Sequence, residues 1–125
     1  MRYYVVRGMR KPSYYLIDAV EHQKRFSCTF ELPPEHYRKT ISPGELVKLM
    51  FIFPIGDDAK VERMWVRVIS VTEGGYEGQL ENEPDNKGFI SKGDTMMFEA
   101  KHIINIYPPR VYLEDLTLRD SDSEN

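Results

Sequence analysis

The chain has 125 residues and only one cysteine, Cys28, so it holds no internal disulfide and cannot build a thiolate-rich zinc site. Its three histidines, His22, His36 and His102, fall in no H-x-x-x-H or H-E-x-x-H spacing. No metal and no other cofactor is expected. Alanine is scarce, at Ala19, Ala59 and Ala100 only, which argues against a helical bundle. Long apolar runs are missing too. The longest, Leu46 to Ile55, is interrupted by Lys48 and Pro54 and is far too short to span a bilayer. Met1 to Arg7 lacks the apolar region of a secretory leader, so a cytoplasmic location away from membranes is expected. G-x-S-x-G, a phosphate-cradling glycine loop and a dinucleotide fingerprint are all absent, which removes the usual sequence grounds for an enzyme.

What is present favours β-structure. Hydrophobic residues make up 41% and charged residues 30%, and eight Tyr and six Phe supply bulk for a small core. Eight Pro and eight Gly punctuate short apolar runs. The length suits one domain, expected over 1–113, followed by an acidic, flexible tail over 114–125. The net charge of −3 is unevenly spread. Residues 1–25 carry six basic groups against two acidic, whereas residues 57–99 carry five basic against ten acidic. No strongly basic surface of the nucleic-acid-binding kind is present.

Period-2 alternation marks Phe26 to Leu32 as a strand, with Phe26, Cys28, Phe30 and Leu32 on one face. Pro33-Pro34 ends it, and a short helical turn follows to Lys39. Leu46 to Phe53 is apolar on both faces except at Lys48, the mark of a central strand. Pro54 to Lys60 forms a polar connection to the next strand, Met64 to Val71. Gly74-Gly75 makes a hairpin turn, and the returning strand alternates. Tyr76, Gly78 and Leu80 face the core, and Glu77, Gln79, Glu81 and Glu83 face solvent. Thr95 to Phe98 is a short strand, and Lys101 to Ile106 is a strand or a helical turn. Tyr3 to Arg7 and Tyr14 to Ile17 have the look of strands, and Val111 to Leu113 is expected to pair weakly with Leu116 to Leu118 at an edge. Asp18 and Glu21 have capping-box spacing for a helix over Ala19 to Lys24. A form I-S-x-G-acid occurs twice, at Ile41 to Glu45 and at Ile90 to Asp94, each time just before a strand.

Candidate chemistry is sparse. Cys28 lies on the apolar parity of its strand and is a core thiol rather than a nucleophile. Glu77, Glu81 and Glu83 share a face on which alternate residues stand about 7 Å apart, a row that also protects a sheet edge. Tyr3, Tyr4, Tyr14 and Tyr15 interleave with Arg2, Arg7, Arg10 and Lys11, the mixture used to stack single-stranded nucleic acid. The segment Glu62-Arg63-Met64-Trp65-Val66 is the most distinctive run. Trp65 sits in a strand apolar on both faces and is expected to be a buried anchor, beside a loop set by Asn82 and Pro84.

That run belongs to a longer series. Thr29-Phe30-Glu31-Leu32-Pro33 precedes Pro43-Gly44-Glu45 and Val47-Lys48-Leu49-Met50-Phe51. After Glu62 to Val66 come Gly78-Gln79-Leu80-Glu81-Asn82-Glu83-Pro84, then Gly93-Asp94, Phe98 and Lys101-His102-Ile103. In order and spacing, from about Asp18 to Ile104, the series resembles the YegJ-like bacterial domain-of-unknown-function family numbered 2314. The resemblance implies a small α+β domain on a curved antiparallel sheet, and it implies no activity.

The expected fold is therefore α+β and mostly β: a strongly bent antiparallel sheet, of small-barrel type at its most closed, with one or two short helices. The expected function is non-enzymatic protein binding of an immunity-like or regulatory kind. A basic protein partner would meet a surface formed by Trp65, Glu77, Glu81, Asn82, Glu83, Asp85 and Asn86. The alternative is a nucleic-acid-associated module using the basic, Tyr-rich N-terminus. A hydrolase ranks below both.

Overall fold

The computed structural model describes residues 3–6, 9–26 and 31–109. Two antiparallel strands, β1 (Tyr3–Val6) and β2 (Met9–Pro12), form a hairpin paired only with itself. A six-stranded sheet follows. Its path is β3 (Tyr15–Leu16), β4 (Leu46–Ile55), β5 (Asp58–Thr72), β6 (Gly75–Leu80) and β7 (Thr95–Phe98), with β8 (Ile103–Tyr107) also on β4. Every pairing is antiparallel, and the sheet curls into half a barrel. Two short helices, α1 (Ala19–Arg25) and α2 (Glu35–Arg38), and a 3₁₀ turn (Ala100–His102) complete the mostly-β fold expected from the sequence. Among the described residues no helix is long and apolar enough to cross a membrane.

β4 is central because it pairs with β5 along one edge and with β3 and β8 along the other. Val47, Leu49, Phe51 and Phe53 are fully buried on the inner face. They meet Met64, Val66 and Val68 of β5, Tyr76 and Leu80 of β6, and Phe98 of β7. Phe53 closes the core at one end against Phe89, with ring centroids 5.0 Å apart. The phenol of Tyr76 donates to the carbonyl of Arg38 (2.7 Å) and accepts from the N–H of Ile41 (3.2 Å), which pins α2 to the sheet. Arg38 is itself buried, and its guanidinium donates to the carbonyls of Pro33 and Ala100.

Local chemistry sets several elements. The Asp18 carboxylate caps α1 by accepting from the N–H of Glu21 at 3.1 Å. The two I-S-x-G-acid segments form the same turn. Ser42 N–H donates to the Glu45 carboxylate and Ser91 N–H to that of Asp94, at 2.7 and 2.9 Å. Gly44 and Gly93 take φ of 98° and 94°, a conformation open chiefly to glycine. Each turn then joins a strand by two backbone bonds, Gly44–Glu45 to Val68 and Gly93–Asp94 to Leu80. Even the side-chain supports correspond: Arg67 donates to the Gly44 carbonyl and its register partner Gln79 to that of Gly93.

Three expectations are corrected. Phe26 does not open a strand: α1 runs through Arg25, and Phe26 is its exposed C-cap, donating to the His22 carbonyl. Glu31 and Leu32 lie outside any strand, while the centre of that predicted strand, Cys28 included, lies outside the described residues. The stretch expected as a polar connection is a hairpin tip, with β4 and β5 paired out to Ile55 and Asp58. Strand pairing needs only backbone groups, so polar side chains did not prevent it, and Gly56 at φ 60° supplies the tight turn. The next hairpin turns at Glu73-Gly74, not Gly74-Gly75: Gly74 has φ 84°, and Gly75 already pairs with Thr72. The last segment is both of its alternatives, a 3₁₀ turn and then β8. Val111 to Leu113, Leu116 to Leu118 and the acidic tail lie outside the described residues.

Candidate functional site

Alternation along β5 puts Met64, Val66 and Val68 inward, and hence Arg63, Trp65 and Arg67 outward. Trp65 is accordingly half-buried on the outer face, a correction to its expected place in the core. Cross-strand register decides its neighbours. Lys48 lies directly opposite on β4, and Asn105 of β8 lies opposite Lys48. The Lys48 ammonium stands 4.7 Å from the centre of the indole, a cation–π contact. Tyr107, 52% exposed, meets the indole edge-on with centroids 6.1 Å apart. Arg63 and Arg67 flank this group on β5, and Arg67 also reaches the Glu81 carboxylate at 3.6 Å.

The other predicted site residues divide between this face and a loop. Asn82 joins Trp65 through the backbone: its side-chain oxygen accepts the Trp65 N–H where β6 ends, while Glu81 N–H still donates to the Trp65 carbonyl. That side-chain bond replaces a ladder bond, so β6 stops at Leu80 instead of running on to Glu83. Asp85 and Asn86 instead hang from Glu62, which has the inward parity of Met64. The Glu62 carboxylate accepts from the N–H groups of Asp85 (2.9 Å) and Asn86 (2.8 Å) and from the Asn86 amide (2.6 Å). Burial acts to raise the Glu62 pKa, but those bonds and nearby Lys87 outweigh it, and the carboxyl is held below its ordinary value. Pro84, fully buried, and the buried Phe89 and Ile90 anchor the same loop over the core.

The acidic row is partly neutralised by its own neighbours. Glu81 pairs with Arg67, Glu83 with Lys87 at 3.2 Å, and Glu77 accepts from the Ser70 hydroxyl at 3.3 Å. Glu77 stands four residues from Glu81, roughly 13 Å along the chain at strand rise. Among the described residues no three His, Cys, Asp or Glu side chains are grouped to hold a metal. The residues that sequence reasoning missed are Lys48, Arg63, Arg67, Asn105 and Tyr107. One signal pointed at them: Lys48 is the lone charge in an otherwise apolar central strand, and such a charge marks the side that faces water.

Beside Trp65 the outer face dips into a hollow of about 130 Å³, lined by Glu31, Lys48, Met50, Arg63, Ile104 and Asn105. A wider groove of about 420 Å³ lies at the β5–β6 hairpin end, between Val71, Tyr76 and Ala100. Lysines at its margin are engaged elsewhere, Lys39 with Glu35 and Lys101 with Asp18.

The partial burial of Trp65 carries an expected result. Trp65→Ala should leave a folded protein with a cooperative melt. The loss should be about 1–2 kcal/mol, the scale of partial burial plus one cation–π contact, against about 3–5 kcal/mol for a truncated core aromatic. Thermal unfolding followed by circular dichroism checks this, and a variant that does not fold would return Trp65 to the core.

Residues 17–106 match the model of a family described as an uncharacterised protein conserved in bacteria (DUF2314). Neither the curated proteins nor the solved structures contain a match.

Proposed function

The chain belongs to the DUF2314 family of uncharacterised bacterial proteins, and on that premise we propose that it is a non-enzymatic protein-binding module of the cytoplasm, with the outer sheet face around Trp65 as its contact surface. One observation carries the reading: on the outer face of a rigid sheet a partly exposed indole meets an exposed phenol, with Lys48, Arg63 and Arg67 beside them. Trp, Tyr and Arg dominate binding hot spots because they offer large contact area at little cost in conformational freedom. A sheet face held by β4, β5 and β8 presents them in one geometry, so little ordering remains to be done on association. The acidic loop supports the reading less, since Glu81 and Glu83 already have cationic neighbours.

The test is retention of a partner from the native host by the tagged chain. Trp65→Ala and Tyr107→Ala should each lower retention by at least about tenfold, the loss of roughly 1.4 kcal/mol or more. Glu83→Lys should leave it unchanged. A photoreactive residue at position 107 should cross-link the retained protein, and one at position 60, on the far hairpin, should not. Retention that survives both aromatic truncations but falls with Glu83→Lys would move the contact surface to the acidic loop.

A further inference from the structure

The hollow beside Trp65 has a more specific chemistry, and we infer that it is a subsite for a carboxylate side chain, so that the partner presents an acidic, extended segment to this face. The inference rests on the Trp65 face being the contact surface and adds what that surface recognises.

Three observations point the same way. First, the groups aimed at the hollow are mostly donors. Lys48 and Arg63 line it as cations. The side-chain oxygen of Asn105 is already taken by the N–H of Ile106 at 2.9 Å, which leaves its amide NH₂ to donate. An ionised carboxylate is acceptor-only and is the natural complement. Second, among the described residues neither cation is neutralised by a carboxylate, although Lys48 also rests on the indole. Lys24, Lys39, Lys60, Arg67, Lys87 and Lys101 each pair with a carboxylate. Among the described residues Lys48 and Arg63 have no such pair, although they share one face two rows apart. Third, the size fits. At about 130 Å³ the hollow admits a small group such as a carboxylate and its methylene. Glu31, at the rim, is the one opposing charge and leaves the hollow net positive.

The same geometry disfavours a nucleic acid. A base stacks on an open aromatic face, but Lys48 occupies one face of the Trp65 ring. Tyr107 stands at 67° to the indole, so the two rings form no parallel platform.

Trp65 is the only tryptophan, so its emission reports directly on this face. The full chain is titrated with poly-L-glutamate in low salt, with poly-L-lysine and oligo(dT) in parallel. Poly-L-glutamate should shift the emission saturably, and the other two polymers should not. Arg63→Gln and Lys48→Gln should each weaken the midpoint about three- to tenfold, whereas Lys92→Gln, exposed and outside the hollow, should not change it. Glu31→Gln should tighten it, because it removes the opposing charge. Circular dichroism melts confirm that each variant is folded. The inference is overturned if oligo(dT) binds in place of poly-L-glutamate. It also falls if Lys92→Gln weakens binding as much as Arg63→Gln, the mark of unspecific attraction, or if no polymer moves the emission. Retention of the host partner separates the two levels. Dependence on Trp65 without dependence on Arg63 or Lys48 leaves the contact surface standing and removes the carboxylate subsite. Independence from Trp65 and Tyr107 removes the surface itself.

Discussion

Gly78→Ala should destabilise the protein by about 3 kcal/mol, at the upper end of what overpacking a core costs, and lower its melting temperature by on the order of 15 °C. Gly78 lies mid-strand on the inner face of β6, between Tyr76 and Leu80, where an added methyl has no space. Its carbon would lie 2.3 Å from a Val66 methyl, 2.9 Å from the Phe98 ring and 3.1 Å from the Arg67 carbonyl oxygen. Val66 is completely buried and cannot withdraw. The glycine at the head of the Gly-x-Leu-x-Asn-x-Pro run is therefore a packing requirement: it lets β7 and β5 bring Phe98 and Val66 together across β6. The cause can be separated from the effect by a double-mutant cycle. Combining Gly78→Ala with Val66→Ala should cost less than the sum of the single losses, because the second change removes the atom in the way. Strict additivity in chemical denaturation would show that the clash is not the cause.

The second large effect is expected at Glu62. Glu62→Gln should cost about 2–4 kcal/mol, since bonds to a charged acceptor are worth about 1.5–3 kcal/mol each and the new amide must turn a donor toward an N–H. Three bonds from Asp85 and Asn86 converge on this one carboxylate. The pH dependence has a definite sign. The folded carboxyl titrates below its ordinary value of 4.5, so its contribution is complete above that value and is lost as pH falls through the lowered one. Wild type and Glu62→Gln should therefore differ most near neutrality and converge in acid. Urea unfolding from pH 7 down to pH 3 checks this, and a gap that is constant over that range would mean the carboxylate charge contributes nothing. Amide exchange should quicken first at Asp85 and Asn86, whose N–H groups lose their acceptor.

How much of this was legible beforehand differs residue by residue. The alternation of Tyr76, Gly78 and Leu80 against Glu77 and Gln79 was visible because one parity is polar and the other is not. The Asp18 cap and the twin I-S-x-G-acid turns were visible because a short side chain, a glycine and a carboxylate at fixed offsets act on their own backbone. Trp65 was misplaced for the converse reason. β5 carries apolar residues on both parities, and alternation says that two faces exist without saying which one is covered. Glu62 looked like part of a run of residues, but its partners lie more than twenty positions away, across a hairpin and a loop. The acidic row looked like one surface only while its cationic neighbours, Arg67 and Lys87, were unplaced.

The sequence by itself determined the family, the mostly-β class, the central position of β4, both short helices and the turns that launch β4 and β7. Each of these follows from side-chain periodicity or from a residue acting on backbone within a few positions of itself. Tertiary structure alone decided that Lys48, Trp65 and Asn105 share one row, that Tyr107 closes on the indole, and that the hollow between Lys48 and Arg63 exists at all. Register is the physical reason. It is set by the tight hairpin that joins β4 to β5 and by the bulge where β8 joins β4, and a shift of one residue would send every one of these side chains to the opposite face.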